Sequence, residues 1–107
     1  MMMKSANSDA VSSMNCSVNI SASSDAQDAI VEKWDGTGSY PYAFRVGAAD
    51  TTIIEFKRFD GTNTPSVNSA TGSYPAGTWH YCVGVHDGVA DTVDQYVDGV
   101  SVGAISD

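Results

Sequence analysis

Apolar and polar residues alternate along most of this chain. From Met14 to Ala22, Cys16, Val18 and Ile20 fall on one side and Asn15, Ser17, Asn19 and Ser21 on the other. That period of two is the mark of a half-buried strand. Tyr42, Phe44 and Val46 alternate with Ala43 and Arg45. Over Thr52 to Phe59, Ile54, Phe56 and Arg58 face one way, and Ile53, Glu55, Lys57 and Phe59 face the other. Over 78–87, Trp79, Tyr81, Val83 and Val85 alternate with His80, Cys82, Gly84 and His86. Shorter β-type runs cover 29–34, 67–70, 93–98 and 100–105. A helical apolar period of useful length is not found.

Turn chemistry separates these runs. Asp35-Gly36-Thr37-Gly38-Ser39, Gly47-Ala48-Ala49-Asp50 and Asp60-Gly61-Thr62-Asn63 are turns, and Ser73 to Gly77 is a loop. Asp98-Gly99, between Val97 and Val100, predicts a hairpin. A type I′ turn needs positive φ at both central residues, which Asp-Gly supplies. About eight short strands at roughly ten-residue spacing indicate an all-β sandwich or barrel. In this reading Trp79 is a core residue and Asp98-Gly99 a tight turn, both framework.

Composition narrows the class. At 107 residues the chain makes one domain. Residues 1–13 are polar and aperiodic and read as a flexible arm or an edge strand; residues 14–107 form the domain. Leu is absent, so the apolar volume comes from Val, Ile, Ala and the aromatics, a set that favours strands. The net charge of −8 argues against a nucleic-acid partner, which needs a basic patch. It equally disfavours an anionic membrane surface. No apolar span is long enough to insert in a bilayer as a helix, and the N-terminal residues show no secretory signal. Cys16 and Cys82 lack metal or redox spacing. They are either two buried thiols or one disulfide between strands remote in sequence.

Four segments in order carry a family resemblance. They are the strand from Met14 to Ile20, Ala29-Ile30-Val31-Glu32-Lys33-Trp34, Gly77-Thr78-Trp79-His80-Tyr81-Cys82-Val83-Gly84-Val85, and Tyr96-Val97-Asp98-Gly99-Val100. Over residues 14–104 the chain resembles the concanavalin A-like, laminin-G-like lectin/glucanase group, which includes the pentraxins. The resemblance implies an antiparallel jelly-roll β-sandwich, reduced relative to the full family domain. Asn19 stands where the early strand of the family usually has Trp. The family also continues past the hairpin with a further strand, so a sheet edge is expected to stay open after Gly103. In pentraxins a disulfide joins the early strand to the Trp-bearing strand, and the resemblance implies the same for Cys16 and Cys82.

The candidate chemistry follows. Jelly-roll glucanases use paired acidic residues near one another, but Glu32 and Glu55 lie on different strands. There is no Gly-x-Ser-x-Gly elbow. His80 and His86 are about 20 Å apart along one strand and cannot share a metal. The chain is therefore read as non-enzymatic, with no catalytic residues.

Glycan binding needs aromatic faces with Asp or Asn beside them, in loops. Trp34, Asp35, Tyr40 and Tyr42 in one region, and Asp60 and Asn63 in another, are the candidates. Asp87, Asp91 and Asp94 surround one loop. They serve either as turn residues or as ligands for calcium, which needs clustered oxygens. The expectation is a carbohydrate-binding or adhesion module, extracellular or on a virion or cell surface, with a glycan or glycoconjugate as partner. The alternative is a structural protein, a homo-oligomer or fibre, that completes its sandwich by strand pairing between chains.

Overall fold

The computed structural model describes residues 11–33, 40–59 and 61–107. Among them are nine strands and no helix: β1 Val11–Asn19, β2 Ala29–Lys33, β3 Tyr40–Val46, β4 Ile54–Phe59, β5 Ser66–Asn68, β6 Trp79–Asp87, β7 Thr92–Val97, β8 Val100–Ser101 and β9 Ile105–Ser106. They form two antiparallel sheets packed as a sandwich. The first sheet runs β1-β6-β7-β8, with β9 also paired to β7; the second runs β2-β3-β4-β5.

Register explains the pairing in the first sheet. Cys16 and Val18 of β1 stand opposite Cys82 and His80 of β6. With Ile20 they turn their small and branched side chains to the core. A slip by one residue would send this whole set to solvent. The Asp98-Gly99 turn has the predicted form, with φ of 49° and 87° at its two central residues.

Phe44 and Phe56 meet at the centre of the core, their ring centroids 4.9 Å apart and tilted by 40°. Gly84 of β6 makes room for them. A Cβ at Gly84 would lie 2.5 Å from the Phe56 ring. Burying one such ring stabilises the fold by roughly 1.5–3 kcal/mol.

One polar side chain crosses the core. Gln95 of β7 is 0% exposed. Its amide donates to the carbonyls of Ile54 (3.1 Å) and Val67 (2.9 Å) in the second sheet, and its oxygen accepts from the Tyr74 hydroxyl at 3.1 Å. Burial pushes the Tyr74 phenol well above its ordinary range, so it stays a neutral donor. A buried amide is tolerated because every one of these polar atoms finds a partner.

Three expectations change. Trp79 is not in the core. It is 71% exposed, and the inward face of β6 is that of Cys82 and Gly84. The first strand starts earlier than expected, since Val11, Ser12 and Ser13 pair with Asp87, His86 and Val85; residues 1–10 lie outside the described residues. Finally, the strand expected over 100–105 is interrupted, and its first part, β8, is only two residues long beside β7. Beyond β8 the chain returns to it, pairing Ile105 with Val93 and Ser106 with Thr92.

Candidate functional site

The outer face of the first sheet carries the exposed aromatics. Because Cys82 and Gly84 point inward, Trp79, Tyr81, Val83 and Val85 point outward. Trp79 is 71% and Tyr81 46% exposed, while Val83 and Val85 are half-buried. On one side of this row β1 supplies short polar groups. Asn19 faces Trp79, Ser17 faces Tyr81, Asn15 faces Val83 and Ser13 faces Val85, all four exposed. On the other side Tyr96 of β7 faces Val83. Directly opposed residues on a sheet have Cβ atoms about 5 Å apart. Each aromatic ring thus lies beside a hydroxyl or a carboxamide.

The end of β6 that bears the two aromatics is braced from below. The Asp98 carboxylate accepts the Tyr81 N–H at 2.9 Å and bonds His80 Nδ1 at 2.7 Å. His80 Nε2 lies 2.8 Å from the Thr78 hydroxyl, which donates to the Pro75 carbonyl at 2.9 Å. The Tyr74 ring meets the His80 ring edge-on, with centroids 5.5 Å apart. The His80 contact, then the Tyr81 N–H, hold the Asp98 carboxyl below the usual range. Backbone at Trp79 and Tyr81 is therefore fixed by side chains on both flanks and by the turn beyond.

Only part of the set expected from the sequence lies within the described residues. Trp34, Asp35 and Asp60 fall outside the described residues. Tyr40 opens β3, and its side chain is also outside them. Tyr42 is half-buried and packs against the core, and Asn63 is exposed in the loop between β4 and β5. Tyr42 lies in the second sheet and Asn63 in one of its connecting loops, so neither is part of the aromatic face.

Asp87, Asp91 and Asp94 are not brought together. Asp87 accepts the Val89 and Ala90 N–H groups at 2.9 and 3.0 Å, capping its turn. Asp91 holds a positive φ of 58°, and its carbonyl accepts the Asp107 N–H. Asp94 accepts from Gln95 N, Gly103 N and the Ser101 hydroxyl. Among the described residues, no group of three or more His, Cys, Asp or Glu side chains is placed to hold a metal ion. Cys16 and Cys82 do meet, as Cα partners across β1 and β6.

The two glutamates of the second sheet are engaged in ion pairs. Glu32 Oε2 is 2.7 Å from Arg45 Nε, and Glu55 Oε1 is 2.8 Å from Lys57 Nζ. A family model described as the concanavalin A-like lectin/glucanases superfamily matches residues 7–107. The chain belongs to this superfamily. No curated protein and no solved structure matches it. Within the concanavalin A-like superfamily both binding modules and glucanases occur, so the fold alone does not assign an activity.

The aromatic face was missed because β6 has two plausible inward faces. A signal was nonetheless present. Residues 79 and 82 lie on opposite faces of one strand. Pairing Cys82 with Cys16, whose neighbours Val18 and Ile20 are the apolar face of β1, turns Trp79 outward.

Proposed function

We propose that this concanavalin A-like domain is a non-catalytic carbohydrate-binding module that works outside the cell or on a virion or cell surface. The observation that carries the reading is the exposed Trp79 and Tyr81 pair, rimmed by Asn19, Ser17 and Asn15. The apolar face of a pyranose ring stacks on an indole or phenol ring, and the rim groups bond its hydroxyls. A flat, open site of this kind gives weak single contacts, and affinity rises when several modules engage one glycan surface. The absence of catalysis is supported by Glu32 and Glu55, whose carboxylates are each committed to a cation.

A glycan array run with and without calcium tests this. Binding is expected, lost in Trp79→Ala and weakened in Tyr81→Ala. No hit in either condition overturns the carbohydrate reading. Hits that survive both Trp79→Ala and Tyr81→Ala overturn the site.

A second reading, assembly by strand pairing, is favoured by β1. This strand ends the first sheet, and its sequence from Val11 to Asn19 holds no charge and no proline. Natural edges are normally blunted by such residues. Light scattering across a concentration series is expected to show oligomers under this reading; a monomer throughout removes it.

A further inference from the structure

We propose that His80 is a pH-sensitive clasp beneath the exposed aromatic pair, closed while its imidazole is charged and loosened when it is neutral. Three contacts at this corner each need one proton. The Thr78 hydroxyl lies 2.9 Å from the Pro75 carbonyl, His80 Nε2 lies 2.8 Å from the same hydroxyl, and His80 Nδ1 lies 2.7 Å from the Asp98 carboxylate. A carbonyl and an ionised carboxylate only accept, so the hydroxyl donates to Pro75 and Nδ1 donates to Asp98. The remaining proton, between Nε2 and the hydroxyl, then has to come from the ring. An imidazolium carries a proton on both nitrogens and satisfies all three contacts. A neutral imidazole carries one, and a contact is lost.

Charge decides which contact is lost. Nδ1 keeps its proton, because a bond to an ionised acceptor is the stronger kind. The Thr78 hydroxyl turns its own proton to Nε2 and releases the Pro75 carbonyl. Trp79 is the first residue of β6 and lies in the chain between Thr78 and His80. The turn before it is held by the Thr78–Pro75 bond and by the Gly77 N–H, which donates to the Ile20 carbonyl at 2.9 Å. Tyr81 has a separate tie, since its N–H donates to Asp98 Oδ1 at 2.9 Å. Neutralising His80 therefore loosens Trp79 and spares Tyr81.

Histidine side chains ordinarily change charge between about pH 5 and pH 8. Protonation closes the clasp, so it is shut in mild acid and opens as pH rises through that range. Asp98, held below the usual carboxylate range by His80 and then by the Tyr81 N–H, stays ionised in mild acid. The other titratable groups around the ring are the Tyr74 phenol, which meets it edge-on, and the Cys16–Cys82 pair, next to Val18 and His80 in the β1–β6 ladder. Tyr74 stays neutral throughout. The Cys16 thiol, lowered to about 7 by its bond with Cys82, changes charge in the same range and calls for a control variant. His86, towards the other end of β6, pairs with Asp107 and calls for a second. The clasp is a property of the free protein; only its effect on a ligand rests on the carbohydrate reading.

An NMR titration of the isotope-labelled protein from about pH 5 to about pH 8.5 tests it. Both ring nitrogens of His80 are expected to be protonated at the acid end. The Thr78 and Trp79 amide signals are expected to move with the ring, and Tyr81 less. This response should vanish in His80→Gln, shrink in Thr78→Val, and persist in Cys16→Ser and His86→Gln. The clasp is overturned if the ring holds a single proton throughout, if Trp79 stays still while the ring titrates, or if the response survives His80→Gln. Thr78→Val keeps the change of ring charge but has no hydroxyl to turn. An undiminished Trp79 response in that variant reports the field of the charge alone and also overturns the clasp. Repeating the glycan array at about pH 5.5 and about pH 8 separates the two readings. Stronger hits in mild acid are expected, and equal hits at both values overturn a role of the clasp in binding. No hit at either value removes the carbohydrate reading alone, and the NMR titration still decides the clasp.

Discussion

The two outer faces of the sandwich are built from opposite materials. On the second sheet Glu32 pairs with Arg45 across β2 and β3, Glu55 pairs with Lys57 along β4, and Ser66 donates to Asn68 at 2.8 Å beside them. Gln27 and the Ala48 N–H also donate to Glu55. Charge on that face is spent within the face. On the first sheet the row Trp79, Tyr81, Val83 and Val85 has only neutral hydroxyls and carboxamides beside it on β1. The ion-paired face explains its own residues, whereas the aromatic face leaves two large rings without a structural task. In a chain of net charge −8, a solubility role would have placed charges at those positions instead.

Four measurements break or sharpen this contrast. The largest effect is expected where both faces share support. Gly84→Ala drives a methyl into the Phe56 ring, and overpacking of this kind costs about 1–3 kcal/mol. Urea unfolding should show that loss, and glycan binding should fall with it because the sheet beneath Trp79 is displaced. A Gly84→Ala variant as stable as the parent would mean that the sheets are not held at this distance.

Trp79→Ala separates the faces. Its ring is mostly in solvent, so stability should change by less than about 0.5 kcal/mol. Glycan affinity should fall at least about tenfold, which corresponds to ~1.4 kcal/mol. A large drop in melting temperature would instead return Trp79 to a structural role.

Acid pH addresses the opposite face. Burial by itself would raise the Glu55 carboxyl, but bonds from Lys57, Gln27 and the Ala48 N–H outweigh it and hold the group below its ordinary value. A carboxyl lowered by folding contributes its stability fully above the ordinary range, and that contribution is lost as pH falls through the lowered value. The melting-temperature gap between the parent and Glu55→Gln should therefore narrow from neutral pH to about pH 3. A gap independent of pH would show that the charge on Glu55 does not stabilise the fold.

The smallest effect is expected for Arg45→Met. It removes the partner of Glu32 in a pair that solvent partly reaches. Such pairs contribute about 1 kcal/mol or less. Unchanged glycan binding in this variant, beside the loss in Trp79→Ala, completes the comparison.

Much of the scaffold was legible in the sequence because it depends on local chemistry. The alternation at Cys16, Val18 and Ile20 gave the buried face of β1, and Asp98-Gly99 gave its turn with both positive φ values. The orientation of β6 was not legible in the same way. Trp79, Tyr81, Val83 and Val85 form the more apolar row, so hydrophobicity alone turns them inward. Two long-range facts reverse that choice. Gly84 must face Phe56, since only a residue without Cβ fits there, and Cys82 must face Cys16. Both facts depend on residues far away in sequence. The break of the last run into β8 and β9 was hidden for a related reason, because two-residue strands leave almost no periodic signal.

Gln95 gives the sandwich a property that its apolar contacts cannot. Hydrophobic layers have no preferred offset, because that attraction is non-directional. An amide whose two hydrogens seat on carbonyls of the facing layer has one resting position. Gliding the layers past each other by a single residue would strand a buried donor, at a cost of about 1–3 kcal/mol. The side chain thus acts as a dowel, setting the alignment between the layers so that the molecule keeps one outline.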